Sequence, residues 1–122
     1  MPVHPSLTYR DLESAVGFLH EAFGLDLVDS GEDASGRLRY ASMRRTDGLV
    51  LLQPDLPEEL HGTHIGQGWV YVEVLDVDAH YAQAVTAGVE VLGAPHPAFE
   101  DAVRGYSARD PEGNLWSFVE SS

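Results

Sequence analysis

Apolar positions recur along the chain with two different periods. From Leu12 to Phe23, Ala15, Val16, Leu19, Ala22 and Phe23 return every three or four residues, the spacing that places side chains on one face of an α-helix. A second helical pattern begins after Asp76 or Asp78 and runs to Ala87, with Val77, Tyr81, Ala84 and Val85 on one face. Between the helices the period falls to two. In Trp69-Val70-Tyr71-Val72-Glu73-Val74 the three valines alternate with larger or polar residues, as in a strand with one apolar face. Asp11 and Asp76 or Asp78 offer N-cap oxygens to the two helices, and Gly24 and Gly88 supply the left-handed residue that stops each.

The remaining alternating segments read as strands: Leu7 to Tyr9, Leu25 to Val28, Arg37 to Arg44, Leu49 to Gln53, Val89 to Leu92, Arg104 to Ala108 and Leu115 to Val119. Thr46-Asp47-Gly48 and Asp110-Pro111-Glu112-Gly113 are the turns between the paired ones, the latter with Pro and Gly where a type I turn favours them. The order β-α-β-β-β therefore occurs twice. The fold class expected is α+β, a single domain over 1–122 made of two tandem βαβββ modules, 1–55 and 69–122. The linker, 56–68, lies in a stretch rich in Pro, Gly and His without periodicity.

Composition narrows the chemistry. Hydrophobic residues make up 43% of the 122, so the formal charge of −13 belongs to the surface of a folded domain rather than to a disordered chain. That charge argues against a nucleic-acid partner and favours cationic or neutral ligands. There is no cysteine, which excludes thiolate nucleophiles and Cys-ligated metals. No apolar run is long enough to span a membrane and the start lacks a leader pattern, so no membrane partner and a cytoplasmic location are expected. Gly62, Gly66 and Gly68 do not join a strand to a helix and form no dinucleotide fingerprint. His61-Gly62-Thr63-His64 has metal-like spacing but no helix to organise it, and reads as a solvated loop.

Tyr9-Arg10-Asp11 leading into Ala15-Val16-Gly17-Phe18-Leu19 and Ala22-Phe23-Gly24, Asp76-Val77-Asp78-Ala79 leading into Ala87-Gly88, and Arg104-Gly105-Tyr106-Ser107 before Asp110-Pro111-Glu112-Gly113-Asn114-Leu115-Trp116 together resemble the vicinal oxygen chelate superfamily. That superfamily includes glyoxalase I, extradiol dioxygenases, fosfomycin-resistance proteins and bleomycin-resistance binding proteins. The resemblance implies two modules whose mixed sheets curl round a cavity, usually completed in a homodimer. It also implies four metal-ligand positions in the metal-dependent members. In register these hold His4, Trp69 and Ser117, with Leu51 or Gln53 at the fourth. Trp and Leu have no lone pair to give and Ser and Gln are weak donors, so no metal and no cofactor are expected.

Strand alternation then separates the faces. Val70, Val72 and Val74, with Pro5, Leu7 and Tyr9, should meet the helices, and Trp116 and Phe118 should join them. The cavity lining expected is Trp69, Tyr71 and Glu73, His4, Ser6 and Thr8, Leu38, Tyr40 and Ser42, Leu51, Arg104, Tyr106 and Ser117. An aromatic and polar lining suits a planar ligand that is stacked and oriented rather than transformed. The function expected is a metal-free small-molecule binding protein without catalytic residues, sequestering an aromatic or cationic antibiotic as a homodimer. The competing reading is a metal-dependent lyase, isomerase or dioxygenase of the same superfamily.

Overall fold

The computed structural model describes residues 4–54, 68–97 and 103–120. The first module runs β1 (Ser6–Thr8), α1 (Leu12–Phe23), β2 (Asp26–Glu32), β3 (Leu38–Arg45) and β4 (Gly48–Gln53), in sheet order β1-β4-β3-β2. The second runs β5 (Trp69–Val74), α2 (Val77–Thr86), β6 (Glu90–Val91), β7 (His96–Pro97), β8 (Arg104–Arg109) and β9 (Leu115–Glu120). Its order is β5-β9-β8-β6, with β7 also on β8. β1 lies parallel to β4 and β5 parallel to β9, while the other pairs are antiparallel. The expected α+β architecture of two modules is present, with the second strand of the second module broken into two short pieces.

The helix ends form as their residues dictate. Asp11 caps α1, accepting from the Ser14 backbone N–H at 3.0 Å and its hydroxyl at 2.8 Å, and these bonds hold the Asp11 carboxyl below the usual carboxylate range. Gly24, at φ 79°, closes the same helix by donating to the His20 carbonyl. Of the two candidates for α2, Asp76 is the cap, accepting from Ala79, and Asp78 sits in the first turn.

The core is shared by both modules. Phe23, at the end of α1, packs against Trp116 and Phe118 of β9 with ring centroids 5.4 and 4.7 Å apart. All three are fully buried, as are Leu19, Met43 and Leu52. Polar bonds follow the same seam: Glu112 accepts from the Arg10 and Asp11 backbone N–H groups at 2.6 and 2.8 Å, and Gln83 donates to the Glu21 carbonyl at 3.0 Å. His80 of α2 bridges the Phe23 carbonyl, 3.0 Å from Nε2, and the Tyr106 hydroxyl, 2.6 Å from Nδ1. A carbonyl only accepts, so Nε2 carries a proton, and burial disfavours a second one on Nδ1. The imidazole pKa is pushed down by burial and by the Arg45 cation, against the Phe23 carbonyl, which raises it.

Two helix-face expectations are corrected here. Val85 is exposed and His80 takes its place in the core, because α2 turns its His80–Ala84 edge toward Phe23 and Phe118. Pro5 does not pack under α1 but is exposed, while Leu7 and Tyr9 are buried as expected.

Candidate ligand-binding site

The outer face of each sheet, away from its helix, follows from strand register. In the second module Tyr71, Ser117 and Ser107 form one row across β5, β9 and β8, with Trp69 and Glu73 on either side of Tyr71 along β5. In the first module the corresponding row is Ser6, Leu51 and Ser42 across β1, β4 and β3. These registers settle one alternative: Leu51, not Gln53, is the counterpart of Ser117, just as Ser6 matches Tyr71 and His4 matches Trp69.

Trp69 and Tyr71 stack with centroids 5.3 Å apart and planes at 27°, yet are 59% and 57% exposed, the largest aromatic surface among the described residues. The indole is fixed from below. Its Nε1–H donates to Ser117 Oγ at 2.9 Å, and that hydroxyl lies 2.7 Å from Ser107 Oγ. Ser117 is itself fully buried, so it acts as the support of the indole rather than as an open surface. Ser107 stands on this face because β8 is shifted by one residue from the pairing that a four-residue turn predicts. Glu73 and Ser6 are exposed, Ser42 and Leu51 half-buried, and Thr8 buried. Tyr40 is exposed, with its ring over Gly31.

Three expected lining residues face elsewhere. Tyr106 is fully buried on the helix side, opposite Phe118 and bonded to His80; burial pushes its phenol well above the ordinary value. Arg104 is on the same side and pairs with Asp78 of α2 at 2.7 Å. Both corrections have one cause. The β8–β9 loop holds five residues, 110–114, between the paired Arg109 and Leu115, and the extra residue, Asn114, shifts β8 by one and reverses its faces. Leu38 also turns to the core, because the register slips where β2 and β3 meet at Gly31 and Glu32 and leaves Arg39 unpaired.

A cavity of about 440 Å³ lies between the modules. Leu25, Met43, Val50, Val70, Val72 and Trp116 form its apolar wall, with His4, Arg45, Tyr71 and Glu73 adding polar groups. Val70 and Val72 are accordingly half-buried rather than sealed beneath a helix. Of the expected site residues only His4, Tyr71 and Glu73 line it. Arg45 was the residue missed, although the phase of Ala41, Met43 and Arg45 already placed a cation on the apolar side of β3.

Asp76, Asp78 and Glu120 bring carboxylate oxygens within 4.8 Å of one another, but each has a structural partner. Asp76 caps Ala79, Glu120 accepts from the Val77 N–H at 3.2 Å, and Asp78 holds Arg104. His61 and His64 lie outside the described residues. No helix among the described residues is long and apolar enough to cross a membrane.

The family model described as Glyoxalase/Bleomycin resistance protein/Dioxygenase superfamily matches residues 2–118, and the chain belongs to that family. It is 33% identical to an uncharacterized protein of Mycobacterium bovis, Mb0911c, over 93% of this chain and 78% of the relative. Its backbone is similar to the crystal structure of TioX from Micromonospora sp. ML1, with TM-score 0.81, 30% identity and 98% of each chain covered. It also matches a superfamily member from Sphaerobacter thermophilus DSM 20745 in fold, with TM-score 0.75, 21% identity, and 99% and 98% covered.

The four positions that the resemblance assigns to metal ligands hold His4, Leu51, Trp69 and Ser117. They do not fit a divalent ion. Leu51 and Trp69 have no lone pair to donate, the Trp69 N–H points at Ser117 Oγ, and a single imidazole does not hold a catalytic metal.

Proposed function

We propose that the chain is a metal-free binding protein that sequesters a planar aromatic or cationic small molecule, an antibiotic or a compound of that shape, without transforming it. The observation that carries this reading is the Trp69–Tyr71 stack: two flat rings exposed on a sheet face, one locked by the buried Ser117 hydroxyl, itself bonded to Ser107, at a position where an enzyme of the family would place a metal ligand. A preset indole loses little rotamer freedom when a flat ligand stacks on it. Glu73 beside it and the overall charge of −13 favour a cation.

An exposed aromatic patch of this kind also favours a homodimer in which the outer face of one copy closes the groove of another. A cytoplasmic location accords with this reading. Protein purified without chelator should contain no stoichiometric Fe, Zn, Ni or Mn, sediment as a dimer at micromolar concentration, and bind members of a panel of planar cationic antibiotics and metabolites with a change in tryptophan fluorescence. Stoichiometric metal with lyase, isomerase or dioxygenase turnover would overturn the proposal.

A further inference from the structure

The outer-face reading uses Tyr71 and Glu73 but gives no role to the rest of the cavity between the modules, whose lining includes one guanidinium, Arg45. Arg45, at the end of β3, lines that cavity. Its Nε is buried and has no hydrogen-bond partner, and Nη1 reaches only the Gly24 carbonyl at a long 3.4 Å. No carboxylate pairs with it among the described residues. Arg45 is half-buried, and a guanidinium N–H that is buried without a partner is costly unless an acceptor meets it. Leu25, Met43, Val50, Val70, Val72 and the Trp116 ring give the cavity an apolar wall beside its polar lining residues, and the volume is within the range of small-molecule sites.

Access follows from the sheet order. β1 and β5 are the edge strands of their sheets. At one end they meet closely, where a side chain on Gly68 would collide with Leu7. Pro5, just before β1, and Val70 to Glu73 of β5 line the cavity, which thus borders strands that are at the sheet edges among the described residues. Glu73 and Asp47 are lining carboxylates. They would disfavour a polyanion but not a single carboxylate held at Arg45.

We infer that the cavity between the modules is a second binding site, for a monocarboxylate carried on an apolar body, with Arg45 as the carboxylate-binding residue. This site goes beyond the outer-face reading and does not depend on it. The carboxylate takes the free Nε–H and one Nη–H in the paired geometry a guanidinium offers, and the tail lies along Met43, Val50, Val70 and Val72.

The test uses a Trp69→Phe background, in which Trp116 in the cavity wall is the sole tryptophan and the outer-face indole can contribute no signal. Octanoate should change Trp116 fluorescence saturably, and octan-1-ol and octylammonium should bind at least about tenfold more weakly. Arg45→Met should erase the preference for octanoate over octanol without lowering the thermal midpoint, because it removes a buried Nε–H that has no partner and only one long hydrogen bond. Val50→Phe, which fills the cavity from its apolar wall and leaves Arg45 in place, should abolish binding of all three probes. Equal binding of octanoate and octanol, no saturable response to octanoate, or an octanoate preference that survives Arg45→Met would each overturn the proposal. So would undiminished binding in a folded Val50→Phe variant.

Discussion

The Tyr9 hydroxyl of the first module donates to Asp110 Oδ2 of the second at 2.5 Å, across 101 residues of chain. Asp110 is the hub of the β8–β9 loop. Its Oδ2 also accepts from Asn114 Nδ2 and Trp116 Nε1, and its Oδ1 accepts from the Glu112 and Asn114 backbone N–H groups. Tyr9, Asp110, Asn114 and Trp116 are all buried, so each donor depends on this one carboxylate. Burial and the Asp110 charge push the Tyr9 phenol far above its ordinary value, and it stays a donor throughout the working pH range.

Removing one donor should therefore cost less than removing the acceptor. Tyr9→Phe is expected to lower the unfolding free energy by about 1–3 kcal/mol, and Asp110→Ala by more, since it strands three side-chain donors at once. Urea unfolding of both variants checks the ranking. A Tyr9→Phe variant less stable than Asp110→Ala would show that the phenol, not the carboxylate, organises the junction.

The same hub explains what the sequence could and could not tell. Asp-Pro-Glu-Gly marks the turn and predicts a hairpin, and the apolar phase of β9 correctly buries Trp116 and Phe118. Nothing in local pattern shows that Asn114 belongs to the loop, because its reason for being there is Asp110, whose Oδ1 takes the Asn114 N–H at 3.0 Å. That one extra residue reversed the faces assigned to Arg104 and Tyr106 and hid Ser107. On β5 no such uncertainty arises. WVYVEV alternates without interruption, and Trp69, Tyr71 and Glu73 stand on the exposed side as its period requires. His80 was illegible for another reason: a histidine on a helix face reads as solvated until the Phe23 carbonyl and Tyr106 hydroxyl, far away in sequence, are brought to its two nitrogens.

His80 makes stability depend on pH in a stated direction. Its folded pKa is depressed below the ordinary 6.5, so below about pH 6.5 the unfolded chain takes up a proton that the folded chain refuses. Stability from this group is fully present above that pH and falls as the pH drops toward the folded pKa, by at most about 1.4 kcal/mol per pH unit. The groups facing the imidazole are the Tyr106 phenol, which stays protonated here, and the Arg45 guanidinium. Denaturation midpoints of the parent and of His80→Gln between pH 5 and 7.5 isolate the effect from the other histidines by difference. Parallel curves would show that His80 carries no linked proton.

The β3–β4 hairpin contains a local misfit. Arg45 pairs with Gly48 around Thr46-Asp47, and Thr46 sits at φ 52°, a left-handed conformation unfavourable for a β-branched residue. Its hydroxyl contacts the Arg45 carbonyl at 2.7 Å, a local bond that water replaces readily. Thr46→Asn should stabilise the fold by about 0.5–1 kcal/mol, the gain from putting a residue that tolerates this region in place of one that does not. A thermal midpoint unchanged or lower in Thr46→Asn would mean that the hydroxyl bond outweighs the strain.

Trp69 divides binding from stability. Its ring is mostly exposed and held by a single bond to Ser117, so Trp69→Ala should change the unfolding free energy by little, whereas Phe118→Ala, which empties a fully buried position, should cost about 3–5 kcal/mol. For a planar cation bound at the outer face the order reverses. Loss of the stacking surface removes about 0.5–1.5 kcal/mol beyond the buried area, so affinity should fall at least several-fold in Trp69→Ala. Ser117→Ala tests the support separately, since it leaves the indole present but frees its N–H, and a smaller loss than in Trp69→Ala is expected. Calorimetric titration of both variants with whichever planar antibiotic the parent binds makes the comparison. Undiminished affinity in a folded Trp69→Ala variant would remove the aromatic stack from the binding mechanism, and with it the reason for placing the ligand on this face.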